Sequence, residues 1–175
     1  MAERCTTGSD ATASTGFLPL TGDAPRVLIL GSFPSRQSLL HSEYYGNPRN
    51  HFWKIMEALF AVDHTLPYRK RTEYLTRHHI ALWDVVRTCA RKGSADEEIR
   101  QPLFNDIGGF LTAHPTVRLI VLNGNAAGTY YRRMDLSPPR DNHILPSTSP
   151  ANTRYTLAEK VRAWEIVRAN SEKEK

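Results

Sequence analysis

The chain has 175 residues, enough for one well-cored domain and too few for two ordinary ones. Its 40% hydrophobic and 23% charged content is globular, and no apolar run approaches the roughly 18–20 residues of a membrane span, so no membrane partner is expected. A net charge of +5 suits a polyanionic partner as well as an ordinary basic enzyme, and two cysteines, Cys5 and Cys89, exclude a four-cysteine iron–sulfur site or a disulfide framework.

Residues 1–23 are polar and rich in small side chains, without the apolar core of a secretory signal. They read as a disordered or loosely packed lead-in to a cytoplasmic protein. A buried strand follows over 26–31, built on Val27-Leu28-Ile29-Leu30 and breaking at Gly31. The next stretch, Ser32-Phe33-Pro34-Ser35 and on to Tyr44-Tyr45 and Asn47, is a polar loop leading to a helix over 48–60. Phe52, Ile55, Met56 and Leu59 give that helix an apolar stripe at i, i+3, i+4, i+7 spacing.

Residues 68–77 predict a short basic helix, and Ile80-Ala81-Leu82-Trp83 a second strand ending at Asp84. The polar region 89–101 contains Ser94-Ala95-Asp96-Glu97-Glu98, which reads as a helix start with acids in its first turn. An amphipathic segment over 104–114 precedes a buried strand over 117–122, which ends in Asn123-Gly124-Asn125. A helix over 126–134, a loop over 136–141 and a short strand over 143–145 follow. Pro146-Ser147-Thr148-Ser149-Pro150 then leads to a last helix over 155–169, capped by Thr153 or Asn152. Residues 171–175 read as a charged tail, leaving 24–170 as a single domain. The alternation predicts an α/β fold, a three-layer α/β/α sandwich around a four-stranded, mainly parallel sheet.

In such folds ligands bind at the carboxyl ends of the strands. Those ends carry Ser32 and Phe33, Asp84, Asn123, and Ser147, Thr148 and Ser149, with the loop of Tyr45, Asn47 and Asn50 beside the first. No glycine-rich dinucleotide or triphosphate loop, nucleophile elbow or zinc spacing occurs. An aromatic platform with amide groups is the equipment for gripping a planar heterocycle, which points to a nucleobase. His51 and His143 lie near these ends and read as structural or DNA-facing.

The segments GSFPS, YYGNPRNHFW, LWDVV, VLNGNAA and LPSTSPANTR, in this order on successive strand ends, resemble the uracil-DNA glycosylase superfamily. They are most similar to its hypoxanthine-DNA (deoxyinosine) glycosylase branch, over residues 24–168. The resemblance implies a monofunctional glycosylase that flips a deaminated base from DNA and hydrolyses its N-glycosidic bond. Hypoxanthine, uracil and xanthine share the lactam edge that a carboxamide reads. Tyr45 becomes the stacking ring, with Phe33, Ser32 and Asn123 lining the base pocket.

The family's water-positioning acid or amide is replaced here by Phe33. The resemblance hands that role to Asn50, then Asn47, then Asp84, with capping of the following helix as the structural alternative for Asn50. Leu145 stands where a histidine often begins the second motif. Ser35, Ser147, Thr148, Ser149 and Arg154 are the expected phosphate contacts, with Ser38 beside them. No lysine lies in these motifs to form a Schiff base, Lys54 being the nearest. The resemblance implies no cofactor and no metal, with damaged DNA as the partner of a monomer. A DNA-damage binding module of weak activity and a nucleoside hydrolase remain as alternatives on the residues alone.

Overall fold

The computed structural model describes residues 13–136 and 140–172. In chain order the elements are β1 (Ala13–Thr15), β2 (Val27–Gly31), α1 (Arg36–His41), α2 (Phe52–Phe60), α3 (Tyr68–Arg77), β3 (Ile80–Asp84) and β4 (Val86–Ala90). A 3₁₀ turn, Asp96–Glu98, separates β4 from β5 (Arg100–Phe104). There follow α4 (Ile107–Ala113), β6 (Leu119–Asn123), α5 (Asn125–Arg132), β7 (Asn142–Leu145) and α6 (Leu157–Glu172).

Four strands form a parallel sheet in the order β3-β2-β6-β7, with Gly31 paired to Asp84 and Asn123 to Leu145. Strands β2 and β3 are buried along their whole length, which is why they read as unbroken apolar runs rather than alternations. Val27, Ile29, Leu82 and Val121 face one core shared with α2, α3 and α6, through Phe52, Met56, Leu75, Trp164 and Val167. Leu28, Leu30, Trp83 and Leu122 face the other, against Phe110 and Leu111 of α4 and Tyr131 of α5. This is the expected three-layer sandwich.

The structure also contains a second sheet, antiparallel, in the order β1-β4-β5. Its strands lie in stretches read from sequence as a loose lead-in and a polar loop. Residues 1–12 lie outside the described ones, but 13–23 are packed rather than loose. Gly16 N–H donates to Arg87 O at 2.8 Å, Trp83 Nε1 donates to Phe17 O at 3.0 Å, and Leu20 bridges Leu82 on the central sheet's edge. A small apolar cluster of Phe33, Val86, Cys89 and Ile99 sits beneath this sheet.

Several helix boundaries differ from expectation: α2 begins at Phe52 rather than 48, and the helix start read at 94–98 is a single 3₁₀ turn. α1 interrupts what read as loop, its N-terminus capped by Ser35 Oγ, which accepts from Ser38 N–H at 3.2 Å. The last helix is capped by Thr156 rather than Thr153 or Asn152: Thr156 and Glu159 form a reciprocal capping box, Oγ1 accepting from Glu159 N–H and Oε2 from Thr156 N–H. That helix continues through Ser171 and Glu172, so these two residues of the tail expected at 171–175 are helical, and 173–175 lie outside the described residues.

Trp164 on α6 is fully buried and donates its indole N–H to Pro146 O at 3.0 Å, joining the core to the segment after β7. Trp164→Ala should therefore cost about 3–5 kcal/mol in urea denaturation. Exposed Arg162→Ala on the same helix should stay within about 0.5 kcal/mol of the parent.

Candidate active site

The carboxyl ends of β2, β3 and β6 open into one cleft with a cavity volume of about 90 Å³. Its lining draws on the β2–α1 turn, the loop before α2, Asp84, Asn123, the segment Ser147–Thr148–Ser149 and the β4–β5 connection. Most residues predicted from sequence converge here, although they lie far apart in the chain.

Asp84 is the sharpest feature. It ends β3 opposite Gly31, where a side chain's first carbon would run into Asp84 Oδ1, so glycine is what lets the carboxyl fit. Its main-chain carbonyl accepts from Asn105 Nδ2 at 2.8 Å, but the buried Oδ2 has no hydrogen-bond partner in the protein. Burial first, then the negative field of Asp96, push its pKa up to about 7, against the opposing pull of Arg91. An uncompensated buried carboxyl in a cleft is a functional signature.

Asn50 lines the same cleft. Its Oδ1 accepts from Phe52 N–H at 2.9 Å, which pins the amide at the start of α2 and fixes which end is the donor. The capping alternative and the functional reading thus hold together: the oxygen serves the helix and Nδ2 is left to donate. Asn47 is not in the lining. Its Oδ1 accepts from Arg49 N–H at 3.0 Å and its carbonyl from Asn50 N–H at 2.8 Å, so it builds the turn that presents Asn50.

Tyr45 lines the cleft in a left-handed backbone conformation, φ 55°. Its ring is stacked on Phe52 with centroids 3.8 Å apart and planes 17° from parallel. Its hydroxyl is buried near Asn123 without a well-formed hydrogen bond, and burial and the charge of Asp84 push its pKa up. Phe33 contributes a buried wall, with the Arg91 guanidinium 5.0 Å from its ring centre.

Asn123 has a different office from direct contact alone. Its Nδ2 donates to Thr148 Oγ1 and its Oδ1 accepts from Thr148 N–H, both at 2.9 Å. Thr148 is fully buried and its carbonyl accepts from His51 N–H at 3.0 Å. The expectation that the Thr148 hydroxyl grips phosphate is corrected here, because that hydroxyl is enclosed and already taken. Ser147 and Ser149 do line the cleft, each accepting from a main-chain N–H two residues on. Ser35 lines it as the cap of α1, and buried Ser38 receives Gly46 N–H at 3.1 Å. Arg154 is exposed, over the Tyr155 ring, in a neighbouring groove that shares Ser147 and Ser149 with the cleft.

Three participants were not legible as such. Asp96, from the 3₁₀ turn, enters the cleft and accepts a short hydrogen bond from Ser32 Oγ, although 64 residues separate them. Burial raises its pKa, while Ser32 and Arg91 oppose the shift. Arg91 is anchored by donation to Pro34 O. Lys160 of α6, wholly buried, donates from Nζ to Asn152 O at 3.0 Å and so braces the segment after Ser149. Its burial lowers its pKa, and His51, whose Nδ1 is buried without a partner, is lowered by burial and by Lys160 and Lys54.

Residues 18–170 match a family model described as the Uracil DNA glycosylase superfamily. A Methanosarcina acetivorans protein named Hypoxanthine DNA glycosylase is 36% identical over 156 residues, 87% of this chain and 96% of its own. A Methanosarcina barkeri protein of the same name is 33% identical over 153 residues, 85% of this chain and 94% of its own. The solution NMR structure of a Methanosarcina acetivorans protein superposes with a TM-score of 0.81 at 33% identity, covering 93% of this chain and all of that one.

The strained burial of Asp84 has a measurable consequence. Its folded pKa, about 7, lies above the ordinary carboxylate value of 3.8, so the folded state holds the proton more tightly. Its contribution is fully present below pH about 4 and is lost as pH rises towards 7. Asp84→Asn should therefore unfold at higher urea than the parent at pH 8, by up to about 4 kcal/mol, with the advantage shrinking towards pH 4.

Proposed function

Because the chain belongs to the uracil-DNA glycosylase superfamily, we propose that it removes a deaminated base, hypoxanthine foremost, from DNA by hydrolysing the N-glycosidic bond and leaving an abasic site. The observation that carries this reading is the meeting of Tyr45, Asn50 and Asp84 in one cleft at the strand ends. A ring, a fixed amide donor and a buried carboxyl are what a planar base with a polar edge requires.

The base must first leave the duplex, at a cost of a few kcal/mol that is smallest at a mismatch. Stacking on the free face of Tyr45 returns about 1–3 kcal/mol. Phe52 holds the other face, so the ring need not be ordered on binding. Asn50 Nδ2 donates to the base oxygen, where negative charge grows as the bond to the sugar breaks. Having no useful basicity, the amide works by stabilising charge and orienting water rather than by taking a proton.

Ser35, Ser147 and Ser149 at the cleft, with Arg154 beyond, hold the flanking phosphates. The name of the Methanosarcina relatives, Hypoxanthine DNA glycosylase, favours that base; uracil and xanthine share its lactam edge. Among the described residues no lysine lines the cleft to capture the sugar, which fits water as the nucleophile.

Labelled duplexes carrying one deoxyinosine, deoxyuridine or deoxyxanthosine, treated with protein and then alkali, test this reading. Strand breaks at deoxyinosine are expected, and Asn50→Ala should slow them by about 10²–10³-fold. Tight binding to all three duplexes with no breaks would make the protein a damage-binding module instead.

A further inference from the structure

A base that departs with the electrons of its glycosidic bond carries negative charge. Among the described residues, the cleft lining contains no lysine, arginine or histidine to meet it. It does contain two carboxyl groups, Asp84 and Asp96. Two carboxylates facing a departing anion would oppose the reaction, whereas a carboxylic acid that gives up a proton would remove the charge altogether.

Asp84 is placed for that work. Its Oδ2 is buried and unpaired, and Gly31 leaves room for the carboxyl at the cleft floor. The charged groups that act on it are Asp96 from the 3₁₀ turn and Arg91 after β4, while the hydroxyls of Tyr44, Tyr45 and Tyr68 feel its charge in turn and stay neutral. Only Arg91 favours the carboxylate, and its guanidinium is tied to Pro34 O and lies over Phe33. The proton is therefore held on Asp84 to near neutral pH, at about 7.

In that state the cleft presents two donors, the Asp84 carboxyl and Asn50 Nδ2, whose partner oxygen is already occupied by Phe52 N–H. Two donors lining one cleft match two acceptors on one base edge. A 6-oxopurine offers such a pair, O6 and N7, on its major-groove edge. Uracil has only O4 on the corresponding edge, beside a C–H.

Resting on the glycosylase reading above, we propose that Asp84 is a catalytic residue that donates a proton to N7 of a flipped 6-oxopurine, and that Asp96 acts through it as a positioning residue. The C1′–N9 bond breaks and its electron pair passes to the base. The Asp84 proton moves to N7, so hypoxanthine leaves neutral and Asp84 becomes a carboxylate. Water adds to C1′ of the oxocarbenium-like sugar, and the proton it loses restores Asp84. Purine over pyrimidine preference then follows from N7, a ring nitrogen that a pyrimidine lacks on that edge.

The test compares deoxyinosine with 7-deaza-2′-deoxyinosine, whose N7 is a C–H, in otherwise identical duplexes under single-turnover conditions. Asp84→Asn keeps a donor of the same shape but no transferable proton. It should cut deoxyinosine about 10²–10⁴-fold more slowly. Its preference for deoxyinosine over the 7-deaza analogue should be at least about tenfold smaller than the parent's. The parent rate should fall as pH rises through about 7, Asp84→Asn should lack that limb, and Asp96→Asn should move it to lower pH by removing a neighbouring negative charge.

An equal preference in parent and Asp84→Asn, or a limb that survives in Asp84→Asn, overturns the inference and leaves the glycosylase reading standing. Absence of any cleavage by the parent overturns both. Binding of each variant to an abasic-site duplex reports on folding, and the substrate comparison in the parent needs no mutation.

Discussion

Two hydrogen bonds between the side chain of Asn123 and Thr148 hold the working end of this protein together. Asn123 ends the central strand β6, and Thr148 belongs to the segment after the edge strand β7. The carbonyl of the same Thr148 receives His51 N–H at the start of α2, next to Asn50. One buried threonine thus fixes the spacing between a strand end, the second motif and the helix that carries the amide donor. Gly124 makes the approach feasible: at φ 95° it turns the chain away, and a side chain there would meet Ser147 Cβ at 2.8 Å. Two hydrogen bonds meeting on a fully buried threonine are directional, so the placement of the segment beside Asn50 is set by scaffold rather than by loop mobility.

The polar groups around this anchor divide sharply. Backbone groups beyond the strand ends are paired, as where Val85 N–H and Val86 N–H reach back to Gly31 O and Ser32 O at 2.9 and 3.0 Å. Among the described residues, the buried side-chain atoms left without partners are Tyr45 Oη, His51 Nδ1 and Asp84 Oδ2, at or beside the cleft. Leaving such groups unmade costs stability, about 1–3 kcal/mol each. The left-handed backbone of Tyr45 adds strain at the same place. Stability is surrendered where a ligand edge would restore the missing bonds, which is the usual physical relation between a folded scaffold and its site.

How far this was legible in the sequence depends on which forces wrote each element. Strands β2, β3 and β6 and helix α2 stand out because burial imposes continuous or periodic apolar patterns. The β1-β4-β5 sheet was missed because its signals are weak for specific reasons. β4 changes register between Val86 and Thr88 and again before Ala90, which destroys period-two alternation, and β5 carries Pro102 and a left-handed Gln101. The capping box of Thr156 and Glu159 has a readable local signature, but Asn152 and Thr153 just upstream offer competing caps. Asn50, Tyr45 and Asp84 were visible as polar residues at strand ends, although the burial that makes Asp84 unusual was not. Asp96 shows the limit: its acidic run reads as a helix start, and nothing local reveals that it folds back on Ser32.

The distribution of charge ties these features to a nucleic-acid substrate. The chain is basic overall, and exposed Arg36 and Arg49 directly follow and precede the lining residues Ser35 and Asn50, with Arg154 in the adjoining groove. The cleft floor is the reverse, two carboxyl groups without a cation in the lining. Arginines draw the phosphate backbone close, and the phosphates then add their negative field to that of Asp96 at Asp84. Both fields favour the protonated carboxyl, so docking of DNA would tighten the hold on the proton that the proposed step consumes. A free nucleoside would bring no such field. On this logic the acidic floor and the basic rim are one device, since the polyanion that the rim recruits keeps the floor in its acid form.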